Sequence, residues 1–343
     1  MQGGFNHLPF FIMINNKILK LLTNFWNWIF LIFILVFLEC WARFAYGSTF
    51  LLNPFVIQSV LLFTAAPLLI GVGQTFVIIS GGIDLSVAFA MGLASVIFAT
   101  IIKSLAPELG YIAVLIGFGA TCLIMLIPGF INGTLIARLN VPPFIGTLGM
   151  YGVARGVGYL TADGMTVPVN NDFLFYLGTG KIFGIPIPVL IAIFFVILAH
   201  YILSYTKFGQ HTYALGGNRQ AAIRSGINVK RHILLLYMLC AFCAGIAGMI
   251  YTARFSAGAP QAGEPLMLDA IAAVFIGGAS FFGGSGKIIG TVIGALIIAV
   301  IQFGIVFIDI KPFWQFVVVG IVIIVAVIVD QSKNKLKGER SGE

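Results

Sequence analysis

The sequence predicts an all-α membrane protein that crosses the bilayer many times. Hydrophobic residues make up 60% of its 343 residues and charged residues only 9%, whereas ordinary soluble domains contain about 25% charged residues. The apolar residues are grouped in runs near the length that a helix needs to cross the hydrocarbon core, which predicts about ten spans. Gly-Gly and Pro interrupt or border several runs, so some of the helices should be broken.

The predicted spans follow a polar N-terminal tail, residues 1–24, that contains Lys17 and Lys20. A basic flank before an apolar run is also typical of a signal peptide, but the many later spans favour an uncleaved first helix. The transmembrane domain is predicted over residues 25–330, and a second tail, 331–343, follows it. The spans are expected near residues 25–37, 54–79, 85–102, 110–131, 144–160, 188–205, 233–253, 268–282, 288–308 and 312–329.

The distribution of cations predicts the orientation. With ten spans and the N-terminus inside, 13 of the 19 Lys and Arg residues fall in inner segments, five in outer segments and one, Arg155, within a span. Inner loops of membrane proteins carry an excess of Lys and Arg, so both termini are expected to be cytoplasmic. Arg155 could snorkel outward or face a wet cavity, and we favour snorkelling.

The longest polar interruption, the loop at residues 206–232, is expected to be cytoplasmic because it carries five cations and no acid. Within it, Gly216-Gly217 should break the chain and Asn218 should cap a helix over residues 219–225. Gly226 can end that helix with a positive φ angle. Such a helix could grip a soluble partner, although a basic loop that only sets topology remains the alternative.

A second interruption, residues 80–86, reads Ser-Gly-Gly-Ile-Asp-Leu-Ser, and its Asp84 or Ser86 could cap the next helix. Asp84 is either a plain cap in water at the inner interface or a functional acid beside irregular backbone. A similar break at residues 283–287 also precedes a helix rich in small residues, which hints at a weak internal repeat. Outer segments contain acids as well as cations, which suits docking of a soluble protein or simply keeps short loops soluble.

Four stretches resemble the permease subunits of bacterial ATP-binding-cassette (ABC) importers for ribose and other simple sugars. They are FVIISGGIDLSV (76–87), IARLNVPPFIGTLGM (136–150), YALGGNRQAAIRSGINVKRHILLLYMLCAFCAGIAGMI (213–250) and DAIAAVFIGGASFFGGSGKIIGTVIGALII (269–298). The resemblance covers most of residues 51–330. One departure is that Arg219-Gln220 precede Ala221-Ala222, where acidic residues are usual in the family.

The resemblance implies a sugar permease of the inner membrane, with no cofactor of its own. Its partners would be a separate ATPase, a periplasmic binding protein, membrane lipid, and a second permease copy or close paralogue. Candidate ATPase-coupling residues are Asn218, Arg219, Gln220, Ala221, Ala222, Ile223, Arg224 and Gly226. Small and weakly polar residues of the broken spans are expected to line the pathway: Ser80, Gly81, Gly82, Asp84, Ser86, Ser95 and Thr291.

Other functions are disfavoured by what the sequence lacks. Phe281 occupies the first Gly position of a phosphate-binding P-loop, and Ile288 follows Lys287 where Ser or Thr is required. No metal-ligand spacing or acid–base cluster points to an enzyme, and the cations flank apolar spans instead of forming a nucleic-acid surface. A secondary carrier usually needs several acids in mid-span, whereas Asp84 and Asp269 are expected at span boundaries. The related permeases for autoinducer-2 or branched-chain amino acids remain alternatives.

Overall fold

The computed structural model describes the backbone of residues 16–325 and 328, and the side chains of residues 25–325 and 328. Its helices are α1 Asn16–Tyr46, α2 Pro54–Ile79, α3 Val87–Leu109, α4 Tyr111–Ala137, α5 Pro143–Thr161, α6 Asp172–Thr179, α7 Ile187–Tyr205, α8 Lys207–Gly217, α9 Arg219–Arg224, α10 Val229–Phe255, α11 Leu266–Ile276, α12 Ile288–Phe307 and α13 Trp314–Val325. Four two-residue strands are β1 Val167–Pro168, β2 Lys181–Ile182, β3 Ile185–Pro186 and β4 Ala257–Gly258.

The prediction of an all-α polytopic membrane protein is confirmed. Within the described part of the chain, seven helices are long and apolar enough to cross a membrane: α1 from Phe25 onward, α2, α3, α4, α7, α10 and α12. Helix α5 has 19 residues but contains many glycines, α11 has 11 residues, and only residues 314–325 and 328 of the last helical segment are described.

Three predicted boundaries need correction or lie beyond the description. The single span predicted over residues 268–282 is wrong, because α11 ends at Ile276 after 11 residues and residues 277–287 are not helical. Helix α1 is described from Asn16, and its membrane-spanning part is Phe25–Tyr46, nine residues longer than the predicted span at residues 25–37. The tail at residues 331–343, residues 1–15 and the end of the last predicted span fall outside the described residues.

Helix α10 lies at the centre of the bundle and packs against α2, α3 and α4. Glycine allows the close approach of α4: a Cβ on Gly133 would lie 2.6 Å from the Leu234 Cα, and a Cβ on Gly129 would lie 2.5 Å from the Tyr237 carbonyl oxygen. Small residues three or four positions apart permit such packing in membranes, where there is no hydrophobic force between helices.

Helices α11 and α12 pair in the same way. A Cβ on Gly290 would lie 2.1 Å from the Gly277 carbonyl oxygen, and a Cβ on Gly294 would lie 2.0 Å from that of Ala273. The short helix α11 is thereby held against a full-length span, and it also contacts α2.

The segment between α5 and α7 caps one end of the bundle. Strands β1 and β4 pair antiparallel, β2 and β3 form a hairpin, and α6 begins after Asn171, whose side chain accepts from the Leu174 N–H at 3.0 Å. The Lys181 ammonium donates to the Gln58 side chain at 2.6 Å, which ties the hairpin to the start of α2. We call this the capped end; residues 161–187 are largely ordered into short elements there.

The other end, which we call the α9 end, gathers α8, α9, the connector at residues 80–86 and the connector at residues 277–287. The Gly284 N–H donates to the Ile79 carbonyl at 2.8 Å, and the Tyr213 hydroxyl donates to the Gly286 carbonyl at 2.7 Å. The predicted breaks at residues 80–86 and 283–287 thus lie beside the basic loop at residues 206–232.

Candidate functional site at the α9 end

Helix α9 is closed at both ends by local hydrogen bonds. The Asn218 side chain accepts from the Ala221 N–H at 2.9 Å, as predicted. At the other end, Gly226 has φ +81°, its N–H donates to the Ile223 carbonyl at 3.0 Å, and the Ile227 N–H donates to the Ala222 carbonyl at 3.2 Å. This pair of bonds is a Schellman motif, which satisfies carbonyls that the helix leaves unpaired. Six residues therefore form a defined helix despite their small number.

One face of α9 is turned toward the rest of the chain and the other is exposed. Ala222 is only 3% exposed, whereas Ile223 is 49% exposed. The expectation that Ala222 faces a partner is therefore corrected: its methyl group packs within this chain. The other residues predicted to couple to a partner are exposed: Asn218, Arg219, Gln220, Ala221, Ile223, Arg224 and Gly226.

The predicted chain break at Gly216-Gly217 is also corrected, because both residues belong to α8. Gly216 serves a different purpose. A Cβ there would lie 1.7 Å from the Ile79 carbonyl oxygen, so only glycine fits between α8 and the end of α2. Burial raises the pKa of the nearby Tyr213 phenol, which keeps its proton for the bond to Gly286.

The segment at residues 80–86 is folded into the protein around Asp84. Asp84 is 0% exposed, and its Oδ1 accepts from the Ser86 N–H at 2.9 Å and the Ser86 hydroxyl at 2.5 Å. Asn132 of α4 donates to the Ser86 Oγ at 2.9 Å, and Gln74 of α2 donates to the Asp84 backbone carbonyl. The Tyr237 hydroxyl of α10 donates to the Ile83 carbonyl at 3.2 Å. The connector is therefore pinned to three helices.

This arrangement corrects the idea of a water-exposed cap. Ser86 precedes α3 but makes no side-chain cap, and Asp84 lies in the protein interior instead of at the interface. Its second oxygen, Oδ2, has no hydrogen-bond partner among the described N and O atoms, and the Cys240 thiol faces the same carboxylate. Asp269 was likewise expected at a boundary but is 5% exposed and accepts from the Gln302 side chain at 2.7 Å.

The remaining candidate pathway residues differ in accessibility. Gly81 is exposed and Ser80 is partly buried at the α9 end. Ser95 is 0% exposed, with its Oγ 3.0 Å from the Ala259 carbonyl oxygen, and Thr291 is 1% exposed, with its Oγ1 2.6 Å from that of Thr75. In this conformation Ser95 and Thr291 join neighbouring segments; their expected place along a pathway stays a prediction.

Sequence reasoning missed the partners of Asp84. Gln74, Asn132 and Tyr237 lie far apart in the sequence but converge on one connector. A signal was available for the first two, because amide side chains within apolar spans must find hydrogen-bond partners in the interior. Arg155 is exposed, and its guanidinium carbon lies 5.2 Å from the centre of the Phe89 ring, a cation–π contact that neither earlier interpretation included.

Comparison with known proteins identifies the family. A family model described as a branched-chain amino acid transport system permease component matches residues 56–327. The ribose import permease RbsC of Escherichia coli (strain K12) is 38% identical over 275 residues, 79% of this chain and 84% of the relative. RbsC of Bacillus subtilis (strain 168) is 40% identical over 82% of this chain and 87% of the relative. The D-allose permease AlsC of Escherichia coli (strain K12) is 37% identical over 79% of this chain and 82% of the relative. Among solved structures, none matches.

The chain belongs to this family of transport-system permease components. The resemblance to ABC-importer permeases found in the sequence is confirmed, and the matched region includes the broken helices, α8, α9 and α10. The permease is a multi-pass membrane protein whose role is transport. Its relatives in these comparisons include permeases for ribose, D-allose, galactose and fructose.

Proposed function

We propose that this permease carries a simple sugar into a bacterial cell as the membrane subunit of an ABC importer. The observation that carries this proposal is that sugar import permeases align with about four fifths of the chain at 37–40% identity. A proton- or sodium-coupled carrier is the second candidate, because Asp84 and Asp269 are buried acids, but the alignment with sugar import permeases favours the importer. Energy would come instead from ATP hydrolysed by a separate subunit.

The proposed orientation places the α9 end in the cytoplasm and the capped end outside. All five cations of residues 206–232 are exposed at the α9 end: Lys207, Arg219, Arg224, Lys230 and Arg231. Inner segments carry such an excess. With α5, α11 and α13 counted as membrane-inserted segments beside the seven long helices, the proposal has ten segments, both termini in the cytoplasm and residence in the bacterial inner membrane.

Helix α9 is the proposed contact for the ATPase. Its exposed surface offers one apolar anchor, Ile223, beside Arg219 and Arg224. It presents no acid, in contrast with the usual pattern of the family. The complementary ATPase groove should therefore carry acids at its rim.

Two further partners complete the proposal. A periplasmic binding protein would dock on the capped end, and a second copy or a close paralogue would complete the pathway between subunits. Helix α5 suits such an approach, because Gly149, Gly152 and Gly156 have open space around them. Ser80 and Gly81 would border the cytoplasmic mouth, while Ser86, Ser95 and Thr291 would reach the pathway only when the broken helices move.

Uptake measurements test the substrate. Cells of the native host with and without this chain are given radiolabelled ribose, allose, galactose, fructose or leucine. We expect the deletion to abolish uptake of at least one sugar and to leave leucine uptake unchanged. Loss of leucine uptake alone would instead assign the amino-acid branch of the family, and normal uptake of all five compounds would refute the sugar proposal.

Tryptophan substitutions on the two faces of α9 test the ATPase contact. Ala221→Trp adds a ring on the exposed face and should leave the permease stable but reduce co-purification of the ATPase. Ala222→Trp adds it on the buried face and should lower the amount of folded permease, because overpacking costs about 1–3 kcal/mol or more. Normal ATPase binding and normal sugar uptake with Ala221→Trp would show that α9 does not contact the ATPase.

A further inference from the structure

Three backbone segments meet without intervening side chains at the α9 end. They are the last residues of α2 with the start of its connector (Ile79 and Gly81), the last turn of α8 at Gly216, and the α11–α12 connector at residues 283–284. We call this meeting point the glycine junction.

The contacts in the glycine junction leave no space for a Cβ at Gly216. A Cβ on Gly216 would lie 1.7 Å from the Ile79 carbonyl oxygen and 2.6 Å from the Gly284 nitrogen. A Cβ on Gly284 would lie 3.1 Å from the Gly217 Cα, and one on Gly283 would lie 2.9 Å from the Gly81 nitrogen. Each segment therefore touches the other two, and any Cβ at Gly216 would have to displace backbone atoms.

Two hydrogen bonds fasten the same point. The Gly284 N–H donates to the Ile79 carbonyl at 2.8 Å, which joins the α11–α12 connector to α2. The Tyr213 hydroxyl of α8 donates to the Gly286 carbonyl at 2.7 Å, which joins that connector to α8. A glycine backbone held by contact and hydrogen bonds has no rotatable side chain that could absorb a displacement.

The position of the glycine junction gives it a role. Only Asn218, the capping residue of α9, separates Gly217 from the first residue of α9. On the far side, Gly81 leads into the connector that Asp84 pins to Ser86 and thereby to α3 and α4. Gly284 leads to α12 on one side and α11 on the other. A displacement of α9 therefore reaches both broken-helix pairs, α2–α3 and α11–α12, through one backbone contact.

We propose that the glycine junction transmits movement of the ATPase at α9 to the two broken-helix pairs, with Gly216 and Gly284 as positioning residues for transport. This inference rests on the proposed ATPase contact at α9. It adds that coupling passes through backbone-to-backbone contact beside α9, and that the two broken-helix pairs respond together.

Neighbouring glycines provide the matched test. Gly216 and Gly217 both lie in α8, but a Cβ on Gly217 meets nothing within 4 Å. The permease is reconstituted with its ATPase and binding protein, and uptake of whichever of labelled ribose, allose, galactose or fructose the wild type transports is measured together with ATP hydrolysis. Gly216→Ala should keep ATPase binding but lower sugar transported per ATP by about fivefold or more, the lower range of typical coupling between sites. Gly217→Ala should match the wild type.

A second variant avoids dependence on the folding of Gly216→Ala. Tyr213→Phe removes the hydroxyl bond to Gly286 with almost no change in volume, so the permease should fold and show a smaller loss of the same ratio. An unchanged ratio in Tyr213→Phe together with an unchanged or unmeasurable ratio in Gly216→Ala overturns the inference, as does an equal loss in Gly217→Ala. If the wild-type permease itself binds no ATPase, the proposed function fails; if all variants bind ATPase and couple normally, only the glycine junction fails.

Discussion

Replacing Gly226 should weaken the proposed ATPase contact through backbone strain alone. Gly226 has φ +81°, and a Cβ at this position meets nothing within 4 Å. Gly226→Ala therefore introduces no clash. It places an alanine in the left-handed region, which costs about 1–2 kcal/mol for an L-residue.

The strain acts on the last turn of α9. Relief of the positive φ would break the Gly226 N–H bond to Ile223 and the Ile227 N–H bond to Ala222, at 3.0 and 3.2 Å. The ratio of the capped form of α9 to the uncapped form would then fall by roughly 5–30-fold, the equivalent of 1–2 kcal/mol. Because only the capped helix presents Ile223 in its fixed place, the affinity for the ATPase should fall by up to the same factor.

The assay is titration of the purified ATPase onto permease in lipid vesicles, with sugar uptake measured in parallel. Gly226→Asn is the matched control, since asparagine also adds a Cβ but tolerates the left-handed region better than alanine. Asparagine should recover much of the affinity. Equal losses for alanine and asparagine, or no loss for either, would refute the argument that the φ angle of Gly226 shapes the contact.

Two other predictions concern the connector at residues 80–86 and the candidate pathway residues. Asp84→Ala removes the acceptor of the Ser86 N–H and hydroxyl, so it should lower the free energy of unfolding by about 1–3 kcal/mol for each donor left unpaired. Asp84→Asn keeps an acceptor oxygen at this position and should therefore be less destabilised than Asp84→Ala. Equal melting temperatures for the two variants in detergent would contradict the role of Asp84 as an acceptor. Without ATP, Ser80→Cys should react with a water-soluble thiol reagent, whereas cysteines at Ser86, Ser95 and Thr291 should be protected; rapid labelling of all four at rest would show that the hydroxyls face water.

Local chemistry explains which features were predictable from the sequence. The cap by Asn218 and the positive φ of Gly226 depend on residues within a few positions, and both were predicted correctly. Long apolar runs likewise predicted helices, because burial in lipid requires a backbone satisfied within its own segment.

Features that depend on tertiary contacts were mispredicted. Gly216-Gly217 has the composition of a chain break, yet both residues are helical. Glycine is needed at position 216 because the Ile79 carbonyl oxygen leaves no space there for a side chain. Asp84 resembles an interfacial cap, but Gln74, Asn132 and Tyr237 enclose its connector. The orientation of Ala222 depends on how α9 packs within the chain, which its six residues cannot specify.

The two Gly-Gly breaks, at residues 80–86 and 283–287, differ in the tertiary contacts that hold them. In both, a helix stops and a small-residue helix follows, which suggested equivalent halves of a repeat. The first connector is held mainly through the side chains of Asp84 and Ser86, whereas the second is held through backbone groups of Gly284 and Gly286, which bond to the Ile79 carbonyl and the Tyr213 hydroxyl. A connector held by side chains can exchange partners as its helices slide, but one held by backbone contact must move with its neighbours. The second connector is therefore the one suited to follow α8 and α9, and the first is the one suited to rearrange in response.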